Sequence, residues 1–515
     1  IPQAHCFETK DLRQKAYYTM TRVVSIFFAS LVFLLAGAPQ GSEAKKRKPE
    51  PKLDETFSPK QLKQDLSVLK TVLEKGHPGL YLYTSKQEFD ELFEKAELAL
   101  ANSGTLREFY LTVAPIVEKV YCGHTYFDLP GKLVSAMLKE AELFPFPLVF
   151  LNRKAYLDHS DLEIPLGAEI VSIEGKPMDE VIGRLLPYVR SDGYNQTMKY
   201  RMMAEEFALH YFLSFGRSSS FKIEYLPLDS EKSVVKRISS VSGKILQQRL
   251  DHRHTRKGKL KKYRMGEPEK AVFLLSMNSF DFGLNKKGKQ KYKVFLKEKF
   301  REIEERGDVQ CVILDLRQNE GGFVGNDTRL FSYFAQEPFR DCKYAETSSL
   351  RIPEKDHLAR NQFPKMLERI LAKEFKETES GRFMMIEEKI REWEPKKTAF
   401  TGKIYVLISG LTHSGGAVLC SLLLNNENVT FIGQETGGGH AAFSAGNMVL
   451  YDLPNTNCQL EIPLIRYEND LRGREFPKGS GIRPDHRIVQ SPKDLIGNVD
   501  TVMEFALGMA RSSLK

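Results

Sequence analysis

The chain is poor in the residues that cross-link a fold. It holds six cysteines in 515 residues. Cys6 precedes every feature of note, and Cys122, Cys311, Cys342, Cys420 and Cys458 make no C-x-x-C pair, so neither a spaced metal motif nor a redox dithiol is written here. Cys311 and Cys420 sit in strongly apolar runs and are expected to be buried thiols. An odd number would leave one over, and no disulfide framework is indicated. A single Trp carries no functional signal, and no internal repeat is visible. Long apolar runs are also lacking. The longest, VVSIFFASLVFLLAGA from Val23 to Ala38, falls short of the roughly 20 residues that a spanning helix needs.

That run follows Met20-Thr21-Arg22 and is succeeded by small residues up to Ser42-Glu43-Ala44, the pattern of a secretory signal peptide over 20–44. Cleavage is expected after Ala44, with an uncleaved anchor as the alternative. No Cys follows the run, which argues against a lipid anchor. Residues 1–19 are read as upstream sequence outside the fold, and the mature chain as exported: periplasmic, cell-envelope or secreted. Hydrophobic residues at 41% and charged residues at 28% exclude a wholly disordered chain and a polytopic membrane protein. The length implies two or three domains. The net charge of +9 is mild and concentrates between Lys244 and Lys262, ending in RHTRKGKLKK. No aromatic residues interleave there to stack bases, so a solvated linker is expected rather than a nucleic-acid or anionic-polymer site.

Charged, Pro-containing residues over 45–57 read as a linker. A helical domain over 58–130 follows. Behind Ser58-Pro59, residues Leu62, Leu66, Leu69, Val72 and Leu73 recur at helical steps. A second helix is expected over Lys86–Ala101, and a third over Thr105–Val120, with Glu108 at the capping-box distance from Thr105. The domain ends on Cys122-Gly123-His124-Thr125. Residues 135–230 change to short apolar runs broken by Gly, Pro and charge, and strands are expected to dominate. Within them, Leu166-Gly167-Ala168-Glu169-Ile170-Val171-Ser172-Ile173-Glu174-Gly175-Lys176-Pro177, with a helix over Met178–Leu186, resembles the strand-turn-helix of a PDZ domain. An ordinary β-rich module is the alternative. A basic linker is expected over 231–270.

From 271 to 515 strands and helices alternate: AVFLLSM, a helix over Gln290–Arg306, VQCVILDL, a helix after Gly325, KIYVLIS, a helix over Gly415–Leu424, and VTFIG. This rhythm predicts a parallel or mixed sheet covered by helices. Residues 340–400 are read as a polar, mostly helical excursion.

Four turns carry candidate chemistry. The first, Asp315-Leu316-Arg317-Gln318-Asn319-Glu320-Gly321-Gly322, follows a buried strand and could aim backbone N–H groups at an oxyanion. The second, Ser409-Gly410-Leu411-Thr412-His413-Ser414-Gly415-Gly416-Ala417, puts Ser414 at the start of a helix. There it is either a nucleophile with the Gly415 N–H nearby or a helix cap. The third is Gln434-Glu435-Thr436-Gly437-Gly438-Gly439, a loop that could line a substrate cleft. The fourth is Gly479-Ser480-Gly481-Ile482-Arg483-Pro484-Asp485.

These four turns, with Gly123-His124-Thr125 upstream, resemble in order and wording the tail-specific or C-terminal-processing serine peptidases and their tricorn-like relatives. The likeness runs from about Ser58 to Val489. The helical lead-in, with His77-Pro78-Gly79-Leu80-Tyr81, looks most like the branch common in Bacteroidetes-type bacteria. The resemblance implies an α/β catalytic domain of crotonase/ClpP-like fold with a PDZ domain ahead of it. It also implies a serine endopeptidase acting on unfolded or carboxyl-terminal protein segments, with no metal or cofactor. Carried over by position, Ser414 is the nucleophile, His124 its base, and Gly415, Gly321 and Gly322 the oxyanion donors. Gly437 and Gly438 line the substrate.

The chain departs from the family at three places. Gly439 stands where Ser/Lys members carry the lysine, which leaves a His-dependent mechanism. Lys478 stands where tricorn-like members carry a Glu, so the acid that orients His124 is sought in Glu475 first and Glu468 second. Gly415-Gly416-Ala417 replaces Ala-x-Glu, which keeps a second reading open: a non-catalytic homologue binding peptides or apolar ligands. His413 is expected to point away from the site, and His77 to be structural.

Overall fold

The computed structural model describes residues 52–160, 162–253, 260–282, 286–360, 362–474 and 476–514. The expected upstream segment, signal peptide and most of the first linker lie outside the described residues, as does Glu475. No helix among the described residues is long and apolar enough to cross a membrane.

The helices expected to make up a first domain form as their capping signals dictate. Helices α1 (Pro59–Gly76), α2 (Lys86–Ala99) and α3 (Leu106–Glu118) each start with a reciprocal capping box, on Ser58/Gln61, Ser85/Glu88 and Thr105/Glu108. Such a box satisfies two otherwise orphaned backbone donors. The apolar stripe of α1 is buried at all five expected positions. Beyond α3 the chain turns at Tyr121, whose φ is 52°, passes through the His124 loop, and runs as Tyr126–Asp128 antiparallel to Gln459–Ile462. The His124 loop is therefore fixed at one end by a helix and at the other by a strand from the far end of the chain.

Starting in the span expected to be a second domain, an antiparallel sheet has its strands in chain order: β1 (Leu148–Leu151), β2 (Lys154–Leu157), β3 (Glu169–Ile173), β4 (Ser220–Leu226) and β5 (Val234–Ser239). Helix α4 (Met178–Leu185) follows β3 through a tight turn. The structure adds α5 (Thr197–Phe215) where strands were expected to dominate. This helix has no exposed residue, with Phe207 through Ser214 continuously buried, and its charged residues Lys199, Arg201, Glu205 and Glu206 are not gathered on one face, so it shows no 3.6-residue stripe to read. The span 231–270 is not a plain linker either. It contains β5, helix α6 (Gly243–Arg253) and β6 (Tyr263–Glu269). In β5 only Ile238 is buried, because an edge strand has little apolar face to declare.

The third domain is built on a six-stranded sheet ordered β6, β7 (Val272–Met277), β8 (Cys311–Asp315), β9 (Lys403–Ile408), β10 (Val429–Gly433) and β11 (His486–Arg487). All neighbours from β7 onward are parallel. Crossovers pass through α7 (Lys286–Arg306), α8 (Asn326–Phe331) and α9 (Gly415–Leu423). Alternate residues serve two cores. Val312, Leu314, Ile404 and Val406 pack with Phe300, Phe334 and Leu419, whereas Cys311, Ile313, Tyr405 and Leu407 pack under α10 (Thr501–Ser513). Burial on both faces is what makes these strands read as continuous apolar runs. All five described cysteines are free and buried.

The excursion at 340–400 is not mostly helical. Its one α-helix among the described residues is Pro364–Glu374, and its strands Tyr344–Thr347, Phe375–Glu377 and Phe383–Met385 join Ala442–Ala445 and Ile465–Glu468 in a five-stranded sheet. Two- to four-residue strands leave too few alternations to be recognised in sequence.

Candidate active site

The turns that follow β8 and β9 meet at the carboxyl ends of the parallel strands, where open α/β sheets form their clefts. They are stitched together by side chains. Ser409 Oγ donates to the Arg317 carbonyl at 2.6 Å, Thr412 Oγ1 donates to the Leu316 carbonyl at 2.9 Å, and the His413 amide donates to the Asn319 carbonyl at 3.0 Å.

Ser414 stands at the tip of the second turn with φ 52° and ψ −127°. A non-glycine residue there is strained by roughly 1–3 kcal/mol and persists only where its surroundings enforce it. Its side chain makes no cap hydrogen bond, which disposes of the helix-cap reading. The hydroxyl is thus left unspent at the positive end of α9, a helix buried from Gly416 to Leu423. The glycines after it answer to crowding. A Cβ on Gly416 would lie 2.5 Å from the Asn319 carbonyl oxygen, and one on Gly415 would lie 3.2 Å from Asp327 Oδ2. A larger residue has no room at Gly416 and a tight fit at Gly415.

The Gly-Gly turn presses directly on the serine. A Cβ on Gly321 would lie 2.6 Å from Ser414 Cβ, 2.7 Å from the Gly415 amide nitrogen and 2.9 Å from Ser414 Oγ. The fully buried Asn319 shapes this turn by accepting from the Gly321 amide at 2.8 Å and donating to the Met277 carbonyl at 3.0 Å. This corrects the expectation for Gly321. Its N–H is already engaged, and its lack of a side chain is what lets the two turns pack this closely. The amides of Gly322 and Gly415 hold no such bond among the described residues.

His124 arrives from the first domain and places its ring against His413, with centroids 4.6 Å apart and planes tilted by 31°. His413 therefore does not point away. It packs in the cluster, with Nε2 on Asp192 Oδ2 at 3.0 Å. Burial, and then the neighbouring His413, push the His124 imidazole down to about 3, so it is neutral at ordinary pH. Its Nδ1 is buried without a hydrogen-bond partner.

Asp192 is a carboxylate of this cluster that sequence reasoning did not mark, and its hydrogen-bonded histidine is His413. It belongs to the second domain, in the loop leading into α5, and is 5% exposed. Its carboxylate accepts the Gly123 amide at 2.5 Å and His413 Nε2 at 3.0 Å, and the Gly439 amide approaches at 3.4 Å. Burial alone would raise its pKa, but His413 foremost, then His124 and the Gly123 amide, hold it at about 2. The loop is clamped on three sides. Gly193 donates to the Tyr121 carbonyl at 2.8 Å, Tyr194 to the Gly479 carbonyl at 2.8 Å, and Asn195 Nδ2 to the Thr436 carbonyl at 2.8 Å. In sequence, Ser191-Asp192-Gly193-Tyr194-Asn195 has the composition of any surface turn, so nothing marked it.

Glu468 is not a partner of His124; it accepts from Arg466 Nη2 at 2.8 Å within its own sheet. Glu475 falls outside the described residues. Lys478 places its ammonium over the Tyr83 ring, 5.7 Å from the centroid. Gly437 and Gly438 are buried, and their missing side chains admit the serine turn. A Cβ on Gly437 would lie 2.1 Å from the Gly410 carbonyl oxygen, and one on Gly438 would lie 2.6 Å from Ala417 Cβ. They support the turn rather than line an open cleft. A surface cleft of about 330 Å³ does open nearby, between the His77–Leu82 loop, Glu346, Ser348 and Arg466. A Cβ on Gly79 in that loop would lie 2.8 Å from Ser444 Oγ, while the Ser444 carbonyl accepts the Cys122 thiol at 3.6 Å. The cleft is thus one strand away from the His124 loop.

His77 accepts from the Gly79 amide through Nδ1 at 3.1 Å, and burial pushes its pKa down to about 3. His77 and His124 are both neutral when folded and take up a proton only on unfolding once the pH is below about 6.5. Stability is then complete above that value and falls as pH drops toward 3, by up to about 1.4 kcal/mol per pH unit for each histidine. Thermal melts between pH 7.5 and 4.5 should show this decline. Replacing His77 by Gln should remove about one proton's worth of the slope.

Residues 272–488 match the profile of Peptidase family S41. No curated protein matches the chain by sequence. Among solved structures, mature CPAF complexed with lactacystin superposes with a TM-score of 0.59 at 14% identity, covering 88% of this chain and 99% of that one. Mature CPAF alone gives 0.56 at 14% identity, over 87% of this chain and 95% of that one. A serine-to-alanine mutant of CPAF gives 0.56 at 13% identity, over 86% and 95%. At these identities the likeness establishes a shared fold.

Proposed function

The chain belongs to peptidase family S41 through residues 272–488, and from that premise we propose that it hydrolyses peptide bonds through an acyl-enzyme on Ser414, with His124 as base. The observation that carries this reading is Ser414 itself: a strained serine whose hydroxyl makes no cap hydrogen bond, packed against a glycine turn that has no room for a side chain. Ser414 Oγ attacks the carbonyl while its proton passes to His124. The charge of Asp192 favours the imidazolium that forms, and His413 is a positioning residue that holds Asp192. The amides of Gly415 and Gly322 take the oxyanion, each such donor being worth roughly 3–4 kcal/mol of barrier. His124 then returns the proton to the leaving amine, and water releases the acyl group. Gly439 where a lysine base would stand supports the His-dependent branch.

The substrate class we infer is an unfolded or carboxyl-terminal protein segment. The second domain is read as PDZ-like, with β1, the edge of its sheet, beside α5, where the Phe150 and Tyr200 rings lie 5.6 Å apart with planes tilted by 55°. An extended peptide would add to such an edge. The third domain is read as crotonase/ClpP-like. Export follows from residues 20–44, and amino-terminal sequencing of the mature protein should begin at Lys45.

The direct test is turnover of a denatured, fluorescently labelled protein. His124→Ala should lower kcat by about 10³-fold or more. Asp192→Asn, which keeps the shape and removes the charge, should lower it by about 10²-fold or more with KM little changed. Full activity of His124→Ala would assign the base elsewhere. No turnover by the wild type would favour the non-catalytic peptide-binding reading, which draws on Lys478 and on the altered residues after Ser414.

A further inference from the structure

The loop that carries His124 carries Cys122 two residues earlier, and peptide hydrolysis makes no use of that thiol. Cys122, His124 and Asp192 each present one donor atom, and these atoms all lie within 4.8 Å of one another. We propose that these three side chains form a binding site for a zinc-class divalent cation, and that occupation of the site switches the peptidase off by taking its base. The donors are a thiol, an imidazole and a carboxylate, the mixed S/N/O set that zinc accepts and that harder cations such as magnesium do not.

The geometry is close to what the ion needs. Metal–ligand lengths of about 2.0–2.3 Å in a tetrahedron put ligand atoms about 3.3–3.8 Å apart, so small side-chain rotations suffice. Two donors are already oriented. Asp192 is held by the Gly123 amide at 2.5 Å and by His413 at 3.0 Å, the kind of outer support that ligating carboxylates receive. Cys122 is fixed by its weak bond to the Ser444 carbonyl at 3.6 Å. The third donor has capacity to spare, since His124 Nδ1 is buried and unpartnered. Cys122 and Asp192 are 7% and 5% exposed, whereas His124 is only partly buried, so the ion enters from the His124 side.

Three protein ligands leave a fourth position for water, as in open zinc sites. On binding, the Cys122 thiol gives its proton to solvent and the thiolate sulfur joins the metal, with no change of oxidation state. His124 then has a ring nitrogen committed to the ion and is held away from Ser414.

Binding stands apart from the hydrolytic reading; inhibition rests on it. Metal-free full-length protein would be titrated with Co²⁺, followed by its thiolate-to-cobalt charge-transfer absorption. Zinc affinity would be obtained by competition with a chromophoric chelator. The expected result is one equivalent of Co²⁺ with a charge-transfer band, abolished in Cys122→Ser and Cys122→Ala but kept in Cys311→Ser, and a zinc affinity at least tenfold weaker in both Cys122 variants. Circular dichroism of the variants verifies that they are folded. Absence of the band at saturating Co²⁺, or its persistence in both Cys122 variants, overturns the site. In the hydrolysis assay Zn²⁺ should inhibit with the midpoint at which it binds and be reversed by EDTA. Cys122→Ser should cleave like the wild type and resist zinc at least tenfold better. Binding without inhibition overturns the switch, and the cobalt experiment is decisive even for a protein that cleaves nothing.

Discussion

Replacing Ser414 by alanine should reduce peptide hydrolysis by about 10⁴-fold or more while the fold is kept, because removal of an acyl-enzyme nucleophile leaves only binding and oxyanion stabilisation. Alanine inherits the φ of 52° and ψ of −127°, so the strain remains and the melting temperature should move little. Glycine adopts such angles without steric cost. Ser414→Gly should therefore be as inactive as Ser414→Ala but more stable, by roughly 1 kcal/mol. The pair separates two properties that a plain helix cap would join. Loss of a cap would destabilise Ser414→Ala by about 1 kcal/mol and Ser414→Gly by only about a few tenths, and leave cleavage in place in both. Steady-state hydrolysis and urea unfolding of the two proteins make the comparison.

The second large effect belongs to Gly321→Ala. Its new methyl would meet Ser414 Cβ at 2.6 Å and the Gly415 nitrogen at 2.7 Å, at a residue whose φ is 93°. Neither obstacle is the movable end of a side chain, so relief must come from separating the two turns. We expect kcat to fall by about 10²–10³-fold, as for loss of an oxyanion donor, and stability to fall by roughly 2–4 kcal/mol. Gly473→Ala is the matched control. Its φ is 80°, but nothing lies within 4 Å of the added methyl. It should cost only roughly 1 kcal/mol and leave turnover unchanged. Equal losses of activity in the two variants would mean that backbone strain, not crowding at Ser414, accounts for the effect.

What could be read from the sequence followed how locally each feature is encoded. Capping boxes at Ser58 and Thr105 and the two-face burial of β8 and β9 leave their marks within a few residues, and those elements form where the sequence places them. Ser414 was ambiguous because a nucleophile and a cap share the same position before a helix; only the backbone angles and the unspent hydroxyl separate them. The acid that orients His124 was sought near the last turn, among residues close to Lys478; the carboxylate that reaches the histidine pair, Asp192, bonds His413 and comes from a loop far away in sequence whose composition is that of any turn. Helix α5 was missed for the opposite reason. It is so thoroughly buried that its sequence has no polar face to set a period. The glycines were legible as turns but not as contacts. Gly321, Gly416 and Gly438 are each required by an atom of a distant segment, which no single stretch of sequence contains.

The central claim is that Ser414 is a nucleophile activated by His124. Fluorophosphonate labelling followed by mass mapping of the modified peptide tests it without any knowledge of the physiological substrate. The account predicts rapid modification of Ser414 in the wild type, slowed by at least about 10²-fold in His124→Ala, with no other serine modified at a comparable rate. Labelling of Ser414 at the same rate in both proteins, or no labelling of Ser414 in the folded wild type, would contradict it.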